Sequence, residues 1–210
     1  MNPYQINFQT WNKLAALYQE RFMDLDLYND TYDLFCELLP QPNAKILEIG
    51  CGPGNITKYL LAKRQDFAIH GLDIAPNMIE LAKINNPTAT FEVMDCREID
   101  KISSKFDGVM CGFCLPYLSQ ADCEKLVKDS YSLLSDSGVL YLSAIEGAYE
   151  KSGYETNSLG DSMYLYYHEE AQISSCLAAH NFELTHLIRK PYAKANDSVD
   201  THLIWIGRKG

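Results

Sequence analysis

Residues that could do chemistry are concentrated where a short apolar run breaks into a glycine-rich turn. The run, Ile46-Leu-Glu-Ile49, has the composition of a strand buried on both faces, and the turn Gly50-Cys-Gly-Pro-Gly54 follows it at once. Three alternating glycines let the backbone adopt positive φ and approach a ligand with no Cβ in the way. A helical pattern begins at Ile56, so the sequence predicts a helix N-terminus that presents backbone N–H groups to a cofactor.

The spacing of the glycines distinguishes between classes of cofactor. A dinucleotide fingerprint needs Gly-x-Gly-x-x-Gly, but the sixth position counted from Gly50 is Asn55, and the third glycine comes one residue early. Glu48, just ahead of the turn, would repel a pyrophosphate and attract a cation. The pattern therefore favours a ligand with positive charge and no phosphate. A nicotinamide-dependent oxidoreductase stays as a less favoured alternative.

Acidic side chains close the next two predicted strands. Asp73 lies roughly twenty residues past the turn, where an acid can accept hydrogen bonds from ribose hydroxyls, and Ile74 can pack against an adenine ring. Asp95 ends the third predicted strand at the same edge and could accept from an exocyclic amine. Each acid also has an ordinary explanation, as a helix cap for Asp73, a turn for Asp95 and a surface charge for Glu48.

An alternation of strand and helix patterns must position these residues. It runs from Ile46 to Ala144, which is typical of a parallel sheet with crossover helices. Two amphipathic patterns, 8–22 and 30–39, precede it, and we expect them to cover an edge or to lid the cofactor. The last two alternating segments, 182–188 and 201–206, are joined by too few residues for a crossover helix, so they should form an antiparallel hairpin.

Two stretches interrupt this alternation. Ser119 with Asp122 predicts a capped helix that Gly138 ends. Residues 147–167 carry five tyrosines and are too long for an ordinary connection. Their tyrosines could line a pocket for a small, partly apolar molecule or pack on the sheet edge, and the sequence leaves both open.

Composition narrows the class of function. With 210 residues, 47% of them hydrophobic, the chain is expected to form one domain, and its net charge of −10 argues against a nucleic-acid partner. The N-terminus lacks a basic start and an apolar core, and no apolar run reaches ~18 residues, so we expect a soluble cytoplasmic protein with no membrane span. Seven cysteines indicate reduced, packed thiols, and the pair Cys111 and Cys114 has no second pair to complete a zinc site, so no metal is predicted.

Together these motifs resemble the class I S-adenosylmethionine-dependent methyltransferases. The similarity covers residues 8 to 208 and rests on motifs in a fixed order: Leu47-Glu-Ile-Gly-Cys-Gly-Pro-Gly54, Gly71-Leu-Asp-Ile-Ala-Pro-Asn-Met78 with Leu81-Ala82, Met94-Asp-Cys96, Phe106-Asp-Gly108 and Leu134-Ser-Asp-Ser-Gly138. It implies a Rossmann-like α/β fold, with a seven-stranded, mostly parallel sheet whose last strand is antiparallel, helices on both faces, and an N-terminal helical lid. The single domain would divide into cap helices over 1–42, a cofactor-binding core over 43–146, an insertion on the substrate side over 147–167, and a last helix and terminal hairpin over 168–210.

The resemblance also implies which residues contact S-adenosylmethionine and its product S-adenosylhomocysteine. The implied contacts are Gly50, Cys51, Gly52 and Gly54 beneath the cofactor, Asp73 on the ribose, Ile74 and Met78 on the adenine, Asp95 and Cys96 at its polar edge, Gly112 and Phe113 beside the methionine portion, Tyr18 closing over it, and Glu48 on the ammonium.

The implied reaction is displacement by a substrate nucleophile on the sulfonium methyl, for which the enzyme mainly supplies alignment and exclusion of water. An oxygen or nitrogen nucleophile would call for a general base, and His168, Glu146 and Tyr117 are candidates only by position. For His168 a helix-start residue in a polar loop is the simpler explanation, so no catalytic residue is assigned. The sequence after the fourth strand, up to Tyr117, lacks the Asn-Pro-Pro-Tyr arrangement of enzymes that methylate planar amide or nucleobase nitrogens, which together with the acidic net charge argues against a DNA or RNA substrate. The expected acceptor is a small molecule. A non-catalytic protein that binds S-adenosylmethionine is the alternative. Oligomeric state is not predicted.

Overall fold

A computed structural model describes residues 2–156, 160–194 and 197–210. Part of the tyrosine-rich insertion (157–159) and of the predicted hairpin connection (195 and 196) lies outside these residues. The α-helices are α1 (Pro3–Phe22), α2 (Asn29–Glu37), α3 (Asn55–Lys63), α4 (Pro76–Asn85), α5 (Gln120–Leu133) and α6 (Glu170–Ala179). The strands are β1 (Lys45–Ile49), β2 (Ala68–Asp73), β3 (Thr90–Val93), β4 (Phe106–Cys111), β5 (Leu134–Ile145), β6 (Gly153–Thr156), β7 (Ser162–Leu165), β8 (Phe182–Ala193) and β9 (Val199–Lys209).

Seven of these strands form one sheet in the order β3-β2-β1-β4-β5-β9-β8. The run from β3 to β5 is parallel, and β9 is antiparallel to both of its neighbours. The predicted Rossmann-like sheet with an antiparallel last strand is therefore confirmed. The hairpin of β8 and β9 is longer than predicted, since its ladder runs from the pair Phe182 and Lys209 to the pair Ala193 and Val199. Strands β6 and β7 form a separate hairpin.

The sheet is covered on both faces, as the apolar character of β1 predicts. Leu47 and Ile49 are fully buried in the core cluster that includes side chains of α5 and α6. Ile46 points to the other face and belongs to the cluster built with α2 and α3. Because side chains alternate along a strand, Glu48 lies on the face of α3, where the hydroxyl of Thr57 donates a hydrogen bond to its carboxylate.

Capping residues explain where α1 begins. The predicted pattern starts at residue 8, but the helix begins at Pro3 because the side chain of Asn2 accepts a hydrogen bond from the Gln5 N–H at 2.9 Å. Proline at the first helical position loses no internal hydrogen bond, which suits this start. Polar residues before the amphipathic run therefore extend the helix.

The prediction that Gly138 ends the fifth helix is wrong. Ser119 caps the helix as predicted, accepting a hydrogen bond from the Asp122 N–H at 3.2 Å. The helix ends at Leu133, because Leu134 already pairs with Phe106 of β4. Gly138 consequently lies inside β5, next to an irregularity in the register of that pairing.

The two N-terminal helices pack against different parts of the fold. α1 packs against β7 and α4, whereas α2 packs against α3 through the buried side chains of Tyr32 and Phe35. The sequence predicts one covering role for both helices. In the structure, α1 contributes more side chains than α2 to the walls of the cavities described below. Across the described ranges, no helix is both long and apolar enough to cross a bilayer.

Candidate functional site

The glycine turn after β1 adopts the conformation for which glycine is suited. Gly50, Gly52 and Gly54 have φ of 68°, 54° and 81°. A Cβ on Gly54 would clash with Nδ2 of Asn86, which donates a hydrogen bond to the Gly54 carbonyl at 2.9 Å. The Cys51 N–H donates to the carbonyl of Leu72 at 2.9 Å, so the turn is fixed to β2 and leads directly into α3.

A first cavity of about 140 Å³ lies over this turn. The residues that line it are Tyr4, Asn7, Phe8, Trp11, Tyr18, Gly50, Gly52, Asp73, Ile74, Met78, Met94, Asp95, Cys96, Arg97, Gly112, Phe113, Cys114, Tyr117 and Leu118. Ten of the thirteen predicted cofactor contacts are among them. The other three, Glu48, Cys51 and Gly54, do not line the wall of this cavity.

Asp73 ties the turn to the start of α4. One carboxylate oxygen accepts from the Gly52 N–H at 2.9 Å, and the other accepts from the Ala75 N–H at 2.8 Å. Burial raises the pKa of this carboxyl group, although both hydrogen bonds oppose the shift. A carboxylate oxygen has two lone pairs, so Asp73 can accept further hydrogen bonds from a ligand. Ile74, which is 37% exposed, and the buried Met78 supply apolar surface beside it.

Asp95 already has a charged partner, which the sequence reasoning missed. The Arg97 guanidinium binds its carboxylate through two nitrogens, at 2.5 and 3.0 Å, and lies 3.9 Å from the centre of the Tyr4 ring. Burial works to raise the pKa of Asp95, but the hydrogen bonds from Arg97 lower it overall. The signal was the two-residue spacing of Asp95 and Arg97 at a strand end, which lets the acid cap the short 3-10 helix Cys96–Lys101.

The cysteines are packed thiols. All seven are free, and Cys114 has two thiol neighbours: Cys111, and Cys96 with 3.5 Å between the sulfur atoms. Cys96 and Cys114 both line the first cavity, whereas Cys111 is fully buried at the end of β4. Within the described ranges, no group of three or more His, Cys, Asp or Glu side chains is placed to hold a metal ion.

Glu48 is a buried carboxyl group with an unused oxygen. It is 1% exposed, Thr57 donates to Oε2, and Oε1 has no hydrogen-bond partner among the described residues. Burial raises its pKa to about 8, so the group is mostly protonated at pH 7. A buried polar atom without a partner is uncommon and indicates a place where a ligand could complete the hydrogen bonding.

A second cavity of about 210 Å³ shares one wall with the first. The residues common to both are Trp11, Tyr18, Gly50, Gly112, Phe113 and Tyr117. The other lining residues are Phe22, Leu25, Tyr28, Tyr32, Asn55, Ile56, Pro116, Ile145, Glu155, Leu165, Tyr192, Lys194, Asp200 and His202. This cavity draws on α1, α2, β7 and the hairpin of β8 and β9, and sequence reasoning assigned no binding role to most of its residues.

The shared wall is held in a strained conformation after β4. Phe113 has a φ of 59°, which non-glycine residues rarely adopt, and its N–H donates to the Ser143 hydroxyl at 2.7 Å. A Cβ on Gly112 would clash with Ile56. Strain of this kind persists where neighbouring contacts hold it, and it is concentrated at functional sites.

Of the three candidates for a general base, one lines the cavities. Tyr117 lies on the shared wall. Glu146 pairs instead with Arg189 at 2.9 Å. The interpretation of His168 as a residue of a polar loop is wrong: its ring is fully buried, its Nε2–H donates to the Leu115 carbonyl at 2.9 Å, and burial lowers its pKa.

The tyrosines of the insertion pack against one another. Tyr149 and Tyr166 are stacked with ring centres 6.0 Å apart, and Tyr164 lies 4.7 Å from Tyr166. No tyrosine between residues 149 and 167 lines either cavity within the described part of the chain. The insertion reaches the second cavity through Glu155 and Leu165 instead, which favours the packing interpretation of its tyrosines.

The amino-acid sequence of the chain is similar to those of several known proteins. Residues 46–138 match the model of a family described as a methyltransferase domain. A putative methyltransferase of Invertebrate iridescent virus 6 is 38% identical over 76 residues, which cover 36% of this chain and 28% of the relative. A carboxy-S-adenosyl-L-methionine synthase of Campylobacter lari is 26% identical over 210 residues, covering 94% of this chain and 86% of that protein.

Solved structures agree on the fold. A 1,6-didemethyltoxoflavin-N1-methyltransferase of Burkholderia thailandensis, crystallised with bound 1,6-didemethyltoxoflavin and S-adenosylhomocysteine, superposes with a TM-score of 0.73 at 18% identity, covering 100% of this chain and 91% of the other. The chain spans between 26% and 66% of the length of the first three curated relatives that it matches.

Proposed function

We propose that the chain is a class I S-adenosylmethionine-dependent methyltransferase, which transfers a methyl group from S-adenosylmethionine to a small molecule. The observation that carries the proposal is the first cavity, in which a positive-φ glycine turn, Asp73 and the apolar pair Ile74 and Met78 converge. Free thiols throughout the chain support a reducing compartment such as the cytoplasm.

The residues present fit S-adenosylmethionine. Gly50 and Gly52 leave open backbone for close approach, Asp73 has lone pairs for ribose hydroxyls, and Ile74 and Met78 offer apolar surface for adenine. The unpartnered Oε1 of Glu48 fits a nearby ammonium, and its pKa would fall as that cation approaches. When bound, S-adenosylmethionine supplies an electrophilic methyl group on a sulfonium.

The chain's own contribution is alignment and exclusion of water. Gly112 and Phe113 line both cavities, so the cavities are adjacent, and methyl transfer would take place where these two residues lie. Trp11 packs edge-on against Tyr18 at 5.5 Å and against Tyr117 at 5.6 Å, which covers the junction with aromatic surface. Holding two reactants in this way supplies much of the rate enhancement when one of them is already activated.

Synthesis of carboxy-S-adenosyl-L-methionine is a second candidate, because the Campylobacter lari relative of that name aligns with 94% of this chain. Methyl transfer is favoured by the charges around the cavities. A carboxylated reactant needs an unpaired cation, but Arg97 is bound to Asp95 and Lys194 to Asp200. Mass spectrometry of the nucleoside after incubation separates the two reactions, since only one of them adds a carboxyl group to the cofactor.

Calorimetric titration with S-adenosylhomocysteine tests the proposal. The wild type is expected to bind it and not NADH, and Asp73→Asn to bind it 10- to 100-fold more weakly, because a hydrogen bond to a charged group contributes about 1.5–3 kcal/mol. Asparagine keeps one of the two oxygen acceptors and loses the other, so urea denaturation of Asp73→Asn in parallel separates weaker binding from a loosened turn. Asp136→Asn, at an exposed position in β5, is the matched control and should bind normally.

Turnover separates an enzyme from a non-catalytic binding protein. Labelled methyl groups from S-adenosylmethionine should appear in an extracted small molecule, and Asp73→Asn should transfer less label at subsaturating S-adenosylmethionine. A folded wild-type protein that binds no S-adenosylhomocysteine would overturn the proposal, and binding without turnover on any acceptor would favour the non-catalytic alternative.

A further inference from the structure

The second cavity contains a histidine held in a fixed orientation. His202 of β9 is 6% exposed, and its Nδ1 lies 2.6 Å from the hydroxyl of Tyr28. The planes of these two rings differ by 14°, and their centres are 6.0 Å apart. The Tyr192 ring stacks on the imidazole at 4.8 Å, and Phe113 contacts it at 4.8 Å with a tilt of 59°.

The hydrogen bond to Tyr28 selects a tautomer of His202. A buried hydroxyl hydrogen needs an acceptor, and Nδ1 is the one available to Tyr28 within the described ranges. Burial lowers the pKa of His202 to about 4, so the ring is neutral at pH 7 and carries one proton. With Nδ1 accepting, that proton lies on Nε2, which therefore is a hydrogen-bond donor.

The surroundings of His202 suit a neutral, flat molecule. Aromatic rings of Tyr28, Phe113 and Tyr192 form much of the wall around it. The charged groups are already engaged: Lys194 lies 3.2 Å from Asp200, and Glu155 accepts from the Tyr167 hydroxyl at 2.9 Å. Among the described residues that line this cavity, no cation is left unpaired for an anionic ligand, whereas aromatic surface with one oriented donor is the usual composition of a small-molecule site.

We propose that the second cavity binds the methyl acceptor, and that this acceptor is a neutral planar aromatic molecule with an oxygen that accepts a hydrogen bond from Nε2–H of His202. The inference rests on the proposed function, because it assigns a substrate class to the same site. His202 acts as a binding residue that orients the acceptor toward the shared wall at Phe113.

Two probes of one shape test the hydrogen bond. 2-Acetylnaphthalene carries a carbonyl oxygen, and 2-isopropenylnaphthalene replaces it with a methylene group. In equilibrium dialysis with saturating S-adenosylhomocysteine, the wild type should bind the ketone up to about tenfold more tightly, because a net hydrogen bond contributes about 0.5–1.5 kcal/mol. His202→Phe, which keeps a flat ring without the donor, should bind both probes equally. His186→Phe, on β8 outside the cavity, should keep the preference.

Calorimetry with S-adenosylhomocysteine alone separates the possible failures. No binding to the wild type would overturn the proposed function, whereas normal binding with no preference for the ketone would overturn this inference alone. If His202→Phe does not fold, nitrogen NMR of the wild type determines the tautomer of His202 instead. A neutral imidazole protonated on Nε2 is expected, and protonation on Nδ1 would refute the proposed hydrogen-bond donor. Tyr28→Phe removes the hydrogen bond to Nδ1 and should reduce the ketone preference.

Discussion

Glu48 should make the protein less stable as the pH rises, and Glu48→Gln should remove that dependence. Burial raises the pKa of Glu48 from 4.5 to about 8. Below the lower value both the native and the unfolded chain hold the proton. Between the two values the unfolded chain releases it while the native protein keeps it, so each pH unit lowers the free energy of unfolding by about 1.4 kcal/mol. The loss reaches about 5 kcal/mol by pH 8.

Glutamine at position 48 can still accept the hydrogen bond from Thr57 and has no proton to lose. Its buried amide N–H group adds a cost that does not change with pH. The free energy of unfolding of Glu48→Gln relative to the wild type should therefore rise by about 4 kcal/mol from pH 5 to pH 8. Comparing the two proteins isolates this group, because all other titrating groups are common to both.

Urea denaturation at half-unit pH intervals measures the effect, with no ligand present. Glu37→Gln, at the exposed end of α2, is the matched control and should follow the wild type at every pH. Parallel curves for Glu48→Gln and the wild type would mean that Glu48 ionises normally in the native protein, and the argument from burial would then be wrong.

Two further substitutions test the geometry. Gly54→Ala should lower the free energy of unfolding by about 2–3 kcal/mol, because it places a side chain at φ of 81° and displaces the hydrogen bond from Asn86. Urea denaturation checks this, and Gly153→Ala, where a Cβ would make only an ordinary contact with the Lys151 carbonyl oxygen at 4.0 Å, should change little. Glu146→Gln should leave methyl transfer unchanged and stability within about 1 kcal/mol, because its pairing with Arg189 is at the surface. A large loss of turnover in Glu146→Gln would make Glu146 a candidate for the general base again.

The sheet and most of the first cavity could be predicted because they depend on short sequence patterns. The glycine turn, Asp73 and Asp95 each follow a strand, and the carboxyl ends of parallel strands meet at one edge. Arg97 was missed because its partner is a neighbour in a short 3-10 helix rather than a residue of a recognised motif. Tyr4 was missed because it lies outside the amphipathic pattern of α1.

The second cavity could not be predicted, since its polar centre joins residues distant in the sequence. Tyr28 precedes α2 and His202 lies in β9, and no local pattern indicates that they meet. The burial of His168 could not be predicted for a similar reason. Its acidic neighbours Glu169 and Glu170 suggest a surface loop, but the His168 N–H donates to the Ile145 carbonyl at 3.1 Å and holds the residue against the end of the sheet.

The two cavities are built by different parts of the chain. This affects the order in which they are completed during translation and how each of them can be changed by exchanging a segment. Every described residue that lines the first cavity lies between Tyr4 and Leu118, whereas the second also needs Ile145, the β7 segment and the last hairpin. A ribosome therefore finishes the described residues of the first cavity, which end at Leu118, 84 positions before the last described residue of the second, His202, and β9 must then insert beside β5. Exchanging the last hairpin for that of another protein should therefore change the choice of acceptor while every described residue of the first cavity stays the same.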